Sequence, residues 1–265
     1  MARERRLAFG EVAELYDKAR PTYPEMLVDD VIALAPLDGR ARALEVGAGT
    51  GKATVLFAAR GVAIHALEPA AEMAAIARRN CAPYPKVTIE VSEFEPWRPP
   101  AASEEFGLVY SAQAWHWISP ETRYAKARAA LARGGLLAVF WNRPAWDACA
   151  LREDIDAAYV RTAPELIDDA PMRPTSAERP RQWSSWPAEI DAAEGLENAE
   201  VRTYTWQRRY SSREYTQLLR THSDHIVLER AKQEALYLAV SDVIDAHGGV
   251  LELTYRTRLC LARAV

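Results

Sequence analysis

The chain has 265 residues and a formal net charge of −4 at pH 7. That length supports one large α/β core carrying an insert, and the mildly acidic balance argues against a global basic field for holding a nucleic-acid backbone. Cys81, Cys149 and Cys260 are odd in number, widely spaced and without a C-x-x-C pair, so neither a disulfide framework nor a metal site is expected. No apolar run follows the charged residues near Met1 and none reaches the ~18 residues that span a bilayer, which predicts a cytoplasmic protein without membrane contact.

Phe9 to Tyr16 is a short amphipathic segment leading to Arg20, Pro21, Tyr23 and Pro24, where two prolines forbid a continuous helix. Residues 1–35 are expected to form a cap. Glu25 to Leu34 repeats apolar residues at helical spacing. A strand then runs from Ala43 into Gly47, Gly49 and Gly51, and an alanine-rich helix follows. A second strand, Val62 to Glu68, precedes a helix over Ala70–Asn80. The third strand is Lys86–Val91 and the fourth Phe106–Gln113, apolar enough to be buried on both faces. Ser119 and Pro120 signal a helix start with a stop at Gly134 and Gly135, and Gly135–Trp141 is a fifth strand. Strands alternating with helices predict a parallel sheet covered on both faces.

From Asn142 the rhythm changes. Asp147–Arg161 reads as helical, but Pro164, Pro171, Pro174, Pro180 and Pro187, interleaved with Trp183 and Trp186, describe an irregular insert over residues 143–197. It is either a surface loop packed by its own aromatics or part of a substrate chamber. Glu200–Tyr210 alternates as a strand, two helices follow with Ser212 as the cap of the first, and Leu253–Ala264 closes the sheet in an antiparallel edge hairpin.

The glycine turn is the chemical signal. Glycines admit positive φ and let a ligand approach the main chain closely, and the helix behind them offers unpaired N–H groups. A phosphate-binding P-loop would need a glycine at Val46 and a hydroxyl at Ala53, and a dinucleotide turn would need a glycine at Lys52. What remains is Glu45 followed by alternating glycines, with Glu68 ending the second strand where a carboxylate can accept from both hydroxyls of a ribose.

This pattern resembles the class I S-adenosylmethionine-dependent methyltransferases, and the order of elements from Ala43 to Val265 is similar to their whole catalytic domain. The resemblance implies a single Rossmann-like domain: a seven-stranded, mostly parallel sheet with helices on both faces and an antiparallel last strand. The stretches Tyr16–Pro24, Phe94–Trp97, Gln113–Trp117 and Phe140–Asn142 together resemble a small-molecule branch that includes trans-aconitate-type methyltransferases. By that resemblance S-adenosylmethionine would be held by Tyr16, Arg20, Glu45, Gly47, Ala48, Gly49, Gly51, Glu68, Pro69, Met73, Ser92, Glu93, Phe94, Gln113, Ala114 and Trp115. Glu68 would take the ribose, Gly47 to Gly51 the methionine portion, and Ser92 to Phe94 the adenine. Glu93 and Phe94 depart from relatives with a small residue and an acid there, which leaves the ring's contact open, and Met73 is either a contact or core.

Methyl transfer from a sulfonium is an in-line displacement needing no metal, and alignment of the reacting atoms can supply ~7–11 kcal/mol. Tyr16, Trp115 and Trp117 offer ring faces to a cation. His116, past the end of the fourth strand, is read either as a base or as a side chain bonded to neighbouring backbone. Tyr23, Trp115, His116, Trp117, Trp141, Tyr215, Thr221 and His222 are the candidate substrate residues. The expected activity is methyl transfer to a small molecule, at oxygen (carboxylate or hydroxyl) rather than nitrogen, with no nucleic-acid partner. A cofactor-binding regulatory or scaffold protein and a macromolecular methyltransferase are the alternatives.

Overall fold

The structure is a computed structural model and describes residues 13–37, 42–99, 105–166 and 185–265. The early expectations on residues 9–12, and on Pro171, Pro174, Pro180 and Trp183 of the insert, lie outside these. Helix α1 (Ala13–Ala19) and α2 (Glu25–Leu34) flank the proline-stiffened Arg20–Pro24 segment. Strand β1 (Arg42–Val46), α3 (Lys52–Ala58), β2 (Ile64–Leu67), α4 (Ala71–Cys81), β3 (Val87–Glu90) and β4 (Phe106–Ala112) then alternate. A 3-10 turn at Trp115–Trp117 leads to α5 (Arg123–Ala130) and β5 (Leu131–Pro144). The rest is α6 (Arg152–Thr162), α7 (Trp186–Asp191), β6 (Leu196–Ser211), α8 (Ser212–Leu219), α9 (Ser223–Ile226), α10 (Arg230–Ala246) and β7 (Val250–Ala264).

The strands form one seven-stranded sheet in the order β3-β2-β1-β4-β5-β7-β6. Its first five strands pair in parallel, β7 runs antiparallel to β5, and β6 pairs antiparallel with β7 at the edge. The chain order reverses between β1 and β4, the switch point beyond whose carboxyl ends open α/β sheets bind ligands.

Period-2 alternation divides the sheet's side chains between two cores. Ala43, Tyr110, Ala138 and Phe140 face one cluster with Leu27, Val31 and Phe57 of α2 and α3. Leu44, Val46, Val139 and Trp141 face the other with Trp97, Tyr124 and Trp186. A third cluster joins Ile155 and Tyr159 of α6, Tyr215 and Leu218 of α8 and Tyr237 of α10 to Leu253 and Tyr255, roofing the early half of β7.

Three local expectations are corrected. The helix placed at Ser119 begins at Arg123, after a turn over 119–122, and ends at Ala130 rather than Gly134. Leu131 already pairs with Phe106, and Gly134, at φ 77°, lies in the bulge before Leu136 pairs with Leu108. The cap of α8 is Ser211, not Ser212: its side chain accepts from the Glu214 N–H while Glu214 accepts from the Ser211 N–H, a reciprocal box that Ser212 has no partner three residues on to form.

The Arg123 guanidinium is fully buried. It pairs with Glu189 of α7, donates to the Trp115 carbonyl at 3.4 Å and lies 5.7 Å from the Trp186 ring centre. It therefore ties α7 to the turn at the sheet's carboxyl edge. Glu189 is 31% exposed, so the pair is only partly desolvated and the cost of losing it sits below that of a fully buried pair. Arg123→Met is expected to lower unfolding free energy by about 1.5–3 kcal/mol, read as a shift in urea midpoint at unchanged slope.

Candidate functional site

A cavity of about 220 Å³ opens at the carboxyl ends of β1, β2, β4 and β5, many times the ~30 Å³ share of one water. One end of it is built around Glu68. This 7%-exposed carboxylate accepts from the Gly49 N–H at 2.8 Å and the Ala70 N–H at 2.9 Å, one bond per oxygen. It is fixed by main chain on both oxygens. The turn beside it requires glycine. A Cβ on Gly47, at φ +77°, would lie 2.3 Å from the Ala114 Cβ, so the turns after β1 and β4 meet where no side chain fits.

Glu45 sits beneath this turn and is fully buried. One oxygen accepts from Thr54 Oγ1 at 2.6 Å and Tyr110 OH at 2.9 Å, and the other, Oε1, has no hydrogen-bond partner among the described residues. Burial pushes its pKa up to about 7, against the pull of those two hydroxyls.

The segment from Tyr16 to Tyr23 lines the cavity through Tyr16, Arg20 and Pro21 and is tied on both sides. Arg20 lies over the Tyr16 ring at 4.8 Å, and its Nη2 donates to the Thr221 carbonyl at 2.8 Å. The Thr22 carbonyl accepts from Asn142 at 2.9 Å, and Asn142 in turn accepts from Thr257 at 2.6 Å. Tyr23 packs edge-on against Phe140, 5.0 Å between ring centres.

The opposite wall combines His116 and Trp117 from the 3-10 turn, Arg143 from β5, His222 from the α8–α9 turn and Tyr255 from β7. Both histidines are held neutral. Burial, reinforced by Arg123 and Arg143, takes His116 down to about 4, and burial, reinforced by Arg20 and His225, takes His222 well below the ordinary imidazole range.

The cavity wall brings together Tyr16, Arg20, Gly47, Gly49, Glu68, Pro69, Met73, Ser92, Glu93, Phe94, Gln113, Ala114, His116, Trp117 and His222. Gln113 holds a positive φ of 62°, unusual away from glycine and found where a site dictates the backbone. Ala48 and Tyr23 line a smaller adjoining pocket with Thr50 and Lys52. Other expected contacts stand back from the wall. Gly51 starts α3 against Ala77, and Trp115 packs beneath the floor between Phe94 and Tyr124. Trp141 stacks edge-on with Trp186, Tyr215 lies in the third core, and Thr221 turns its hydroxyl to the Leu218 carbonyl. Of the insert 143–197, only Arg143 and Pro144 among the described residues reach the cavity.

Residues to which sequence reasoning gave no role at the site are Asn142, Arg143, Leu218 and Tyr255. Asn142 and Arg143 directly follow the apolar run of β5, where the switch-point rule places ligand contacts, so their position was a usable signal. Leu218 and Tyr255 carry none, since each reads as ordinary core. Among the described residues no group of three His, Cys, Asp or Glu side chains is placed to hold a metal, and no helix is long and apolar enough to cross a membrane.

The sheet order, the reversed β7 and the glycine turn facing an acid at the end of β2 define a Rossmann-like methyltransferase fold. The comparisons agree: residues 43–135 match the family described as methyltransferase domain. An uncharacterized methyltransferase of Mycobacterium tuberculosis is 32% identical over 173 residues, 64% of this chain and 64% of its own length. A solved structure from Anaeromyxobacter dehalogenans, proposed to be a type II methyltransferase, superposes with a TM-score of 0.62 at 20% identity, covering 92% of this chain and 97% of its own. A Haemonchus contortus phosphoethanolamine N-methyltransferase, solved with S-adenosylhomocysteine, superposes with a TM-score of 0.53 at 12% identity over 98% of this chain and 57% of its own.

Glu45 yields a pH test. Its folded pKa lies above the ordinary carboxyl value of 4.5, so the folded state holds the proton between pH 4.5 and about 7 and is progressively penalised as pH rises through that window. Glu45→Gln is expected to remove this penalty. The stability difference between variant and wild type, from urea unfolding at several pH values, should grow in the variant's favour from pH 4.5 to 7 and level off above it.

Proposed function

We propose that this chain transfers a methyl group from S-adenosylmethionine to an oxygen of a small molecule. The observation that carries the reading is the Glu68 carboxylate, fixed by the Gly49 and Ala70 N–H groups beside a turn that only glycine can make. The residues fit the cofactor on the chain's own terms. Glu68 would accept from the ribose hydroxyls, Ser92, Glu93 and Phe94 would border the adenine, and Gly47, Gly49 and Arg20 would take the methionine end. Bound there, the cofactor supplies an electrophilic methyl group on a sulfonium. Tyr16 and Trp117 present aromatic groups to that region, as suits a cation.

Acceptor chemistry is argued from the opposite wall. Arg143 contributes fixed positive charge there and His116 and His222 are neutral, so this end favours an oxygen with negative or developing negative charge over an ammonium. The chamber is small and walled by Pro21, Ile118, Trp117 and Leu218, which suits a small acceptor rather than a polymer. Residues 13–23, which contribute Tyr16, Arg20 and Pro21 to the cavity lining, would serve as the cap. The chain's own work is then to bind, orient and exclude water. Trans-aconitate-like acids are one acceptor class consistent with this wall.

Glu68→Ala removes two charge-assisted acceptors and is expected to weaken S-adenosylhomocysteine binding by more than tenfold in calorimetry, equivalent to roughly 1.5–3 kcal/mol for each bond lost. Unchanged affinity, or preference of the wild type for a nicotinamide dinucleotide, would remove the reading. Cofactor binding without turnover on any acceptor would favour a regulatory binding protein.

A further inference from the structure

The two edges of the sheet are built differently. At one, β3 has only 4 residues and follows Pro85, a short length and a flanking proline being two devices that blunt an edge. At the other, β6 has 16 residues, and among the described residues β7 alone pairs with it. Its register shift lies at its start, between Glu197 and Glu200, and residues 200–211 then run unbroken against β7, about 40 Å of strand. No proline interrupts it, and Val201, Thr203, Tyr204, Thr205 and Trp206 at its centre are residues that favour strands. Val201, Thr203, Thr205, Gln207 and Arg209 are exposed at alternate positions. A long edge of this kind presents a row of open main-chain donors and acceptors to another strand.

Its charges are ordered along its length. Glu197 and Glu200 stand at the amino end, Arg208 and Arg209 at the carboxyl end. The Glu200 side chain is 52% exposed and accepts from Arg202 at 2.6 Å. Arg208 lies over the Tyr210 ring at 4.6 Å, and among the described residues neither Arg208 nor Arg209 is in an ion pair.

We propose that β6 pairs antiparallel with β6 of a second copy of this chain, about a two-fold axis through Tyr204, joining two seven-stranded sheets into one. The inference does not depend on the methyltransferase reading. A two-fold axis perpendicular to the sheet sets residues of the same face against each other, so the register can move only in steps that keep that parity. With the axis at Tyr204, Glu200 meets the partner's Arg208 twice by symmetry, Arg202 meets the partner's Trp206, and Thr203 meets the partner's Thr205, all favourable cross-strand pairs. No like charges face each other. Moving the axis to Thr205 sets Arg202 against the partner's Arg208, and moving it to Thr203 leaves Glu200 against the partner's Trp206. Parallel pairing in register would place Glu200 beside Glu200 and Arg208 beside Arg208. Charge therefore selects both the direction and the register.

The test uses the full chain. Sedimentation over about 1–200 μM protein at ~50 mM salt should show a species of twice the 29.6 kDa of one chain, growing with concentration. Glu200→Arg and Arg208→Glu each create two like-charge pairs in the dimer and should each weaken association ~10-fold or more. An equimolar mixture of the two variants should recover it, because every acid then faces a base, and that recovery, with urea midpoints close to wild type, shows that both variants fold. Nitroxide labels at Thr205→Cys should lie within ~15 Å of each other in the dimer and those at Arg209→Cys about 35 Å apart, since opposite copies are offset by roughly 2 and 10 residues at ~3.4 Å each. A single species of 29.6 kDa across the range, a dimer that both variants leave unchanged, weakened association that mixing does not restore, or equal distances at the two labelled positions would each overturn the proposal.

Discussion

The Glu68 carboxylate is the constraint on which the site depends. Its two oxygens bind the N–H groups of Gly49 and Ala70, one from the turn after β1 and one from the turn after β2, so a single side chain sets the spacing of the two loops. β1 and β2 are neighbours in parallel register from Ala43 and Ile64 to Val46 and Leu67, which delivers both turns at the same height. The third side is fixed by exclusion. Gly47 and Ala114 approach closely enough that any Cβ on the glycine would force β4's turn away, opening the cavity floor.

Charge placement follows from that frame. The acids lie on the β1–β2–β3 side, at Glu68 and Glu93, while Arg20 and Arg143 lie across the cavity with two imidazoles that burial keeps uncharged. A ligand with hydroxyl donors at one end and a reaction partner bearing negative charge at the other meets complementary groups at each. Glu45 belongs to the frame rather than to the wall: it links α3 to β4 through Thr54 and Tyr110, and its orphaned oxygen is a cost carried directly below the turn.

Much of this frame was legible in the sequence because it is local. The acid and alternating glycines of Glu45–Gly51, the acid ending β2 and the strand–helix rhythm to β5 are read within windows of a dozen residues, where period and turn chemistry decide. The wall opposite was harder to read for a physical reason. Trp115 and Trp141 looked like ligand contacts by residue type, but large apolar rings bury more area beneath the sheet edge, against Tyr124 and Trp186, than they would in an open cavity. Tyr255 and Leu218 went the other way. Both sit in core-like patterns, and only the docking of α8 onto β7 brings them to the cavity.

The same long-range docking accounts for the N-terminal segment. Pro21 and Pro24 set an extended backbone, but its position over the cavity comes from partners far along the chain: Arg20 on the Thr221 carbonyl and Asn142 on the Thr22 carbonyl. Asn142 is itself oriented by Thr257, whose hydroxyl also accepts from Trp206 at 2.8 Å, so a polar chain runs from the edge strand β6 through β7 and β5 to the mouth. Buried polar chains of this kind are costly when one member is missing, because each group has given up water for the next. Arg20 therefore joins three elements at once. It stacks on Tyr16 of α1, fixes the turn that carries His222, and adds a positive charge that reinforces the burial keeping His222 neutral, so the N-terminal segment and this wall are coupled through one side chain.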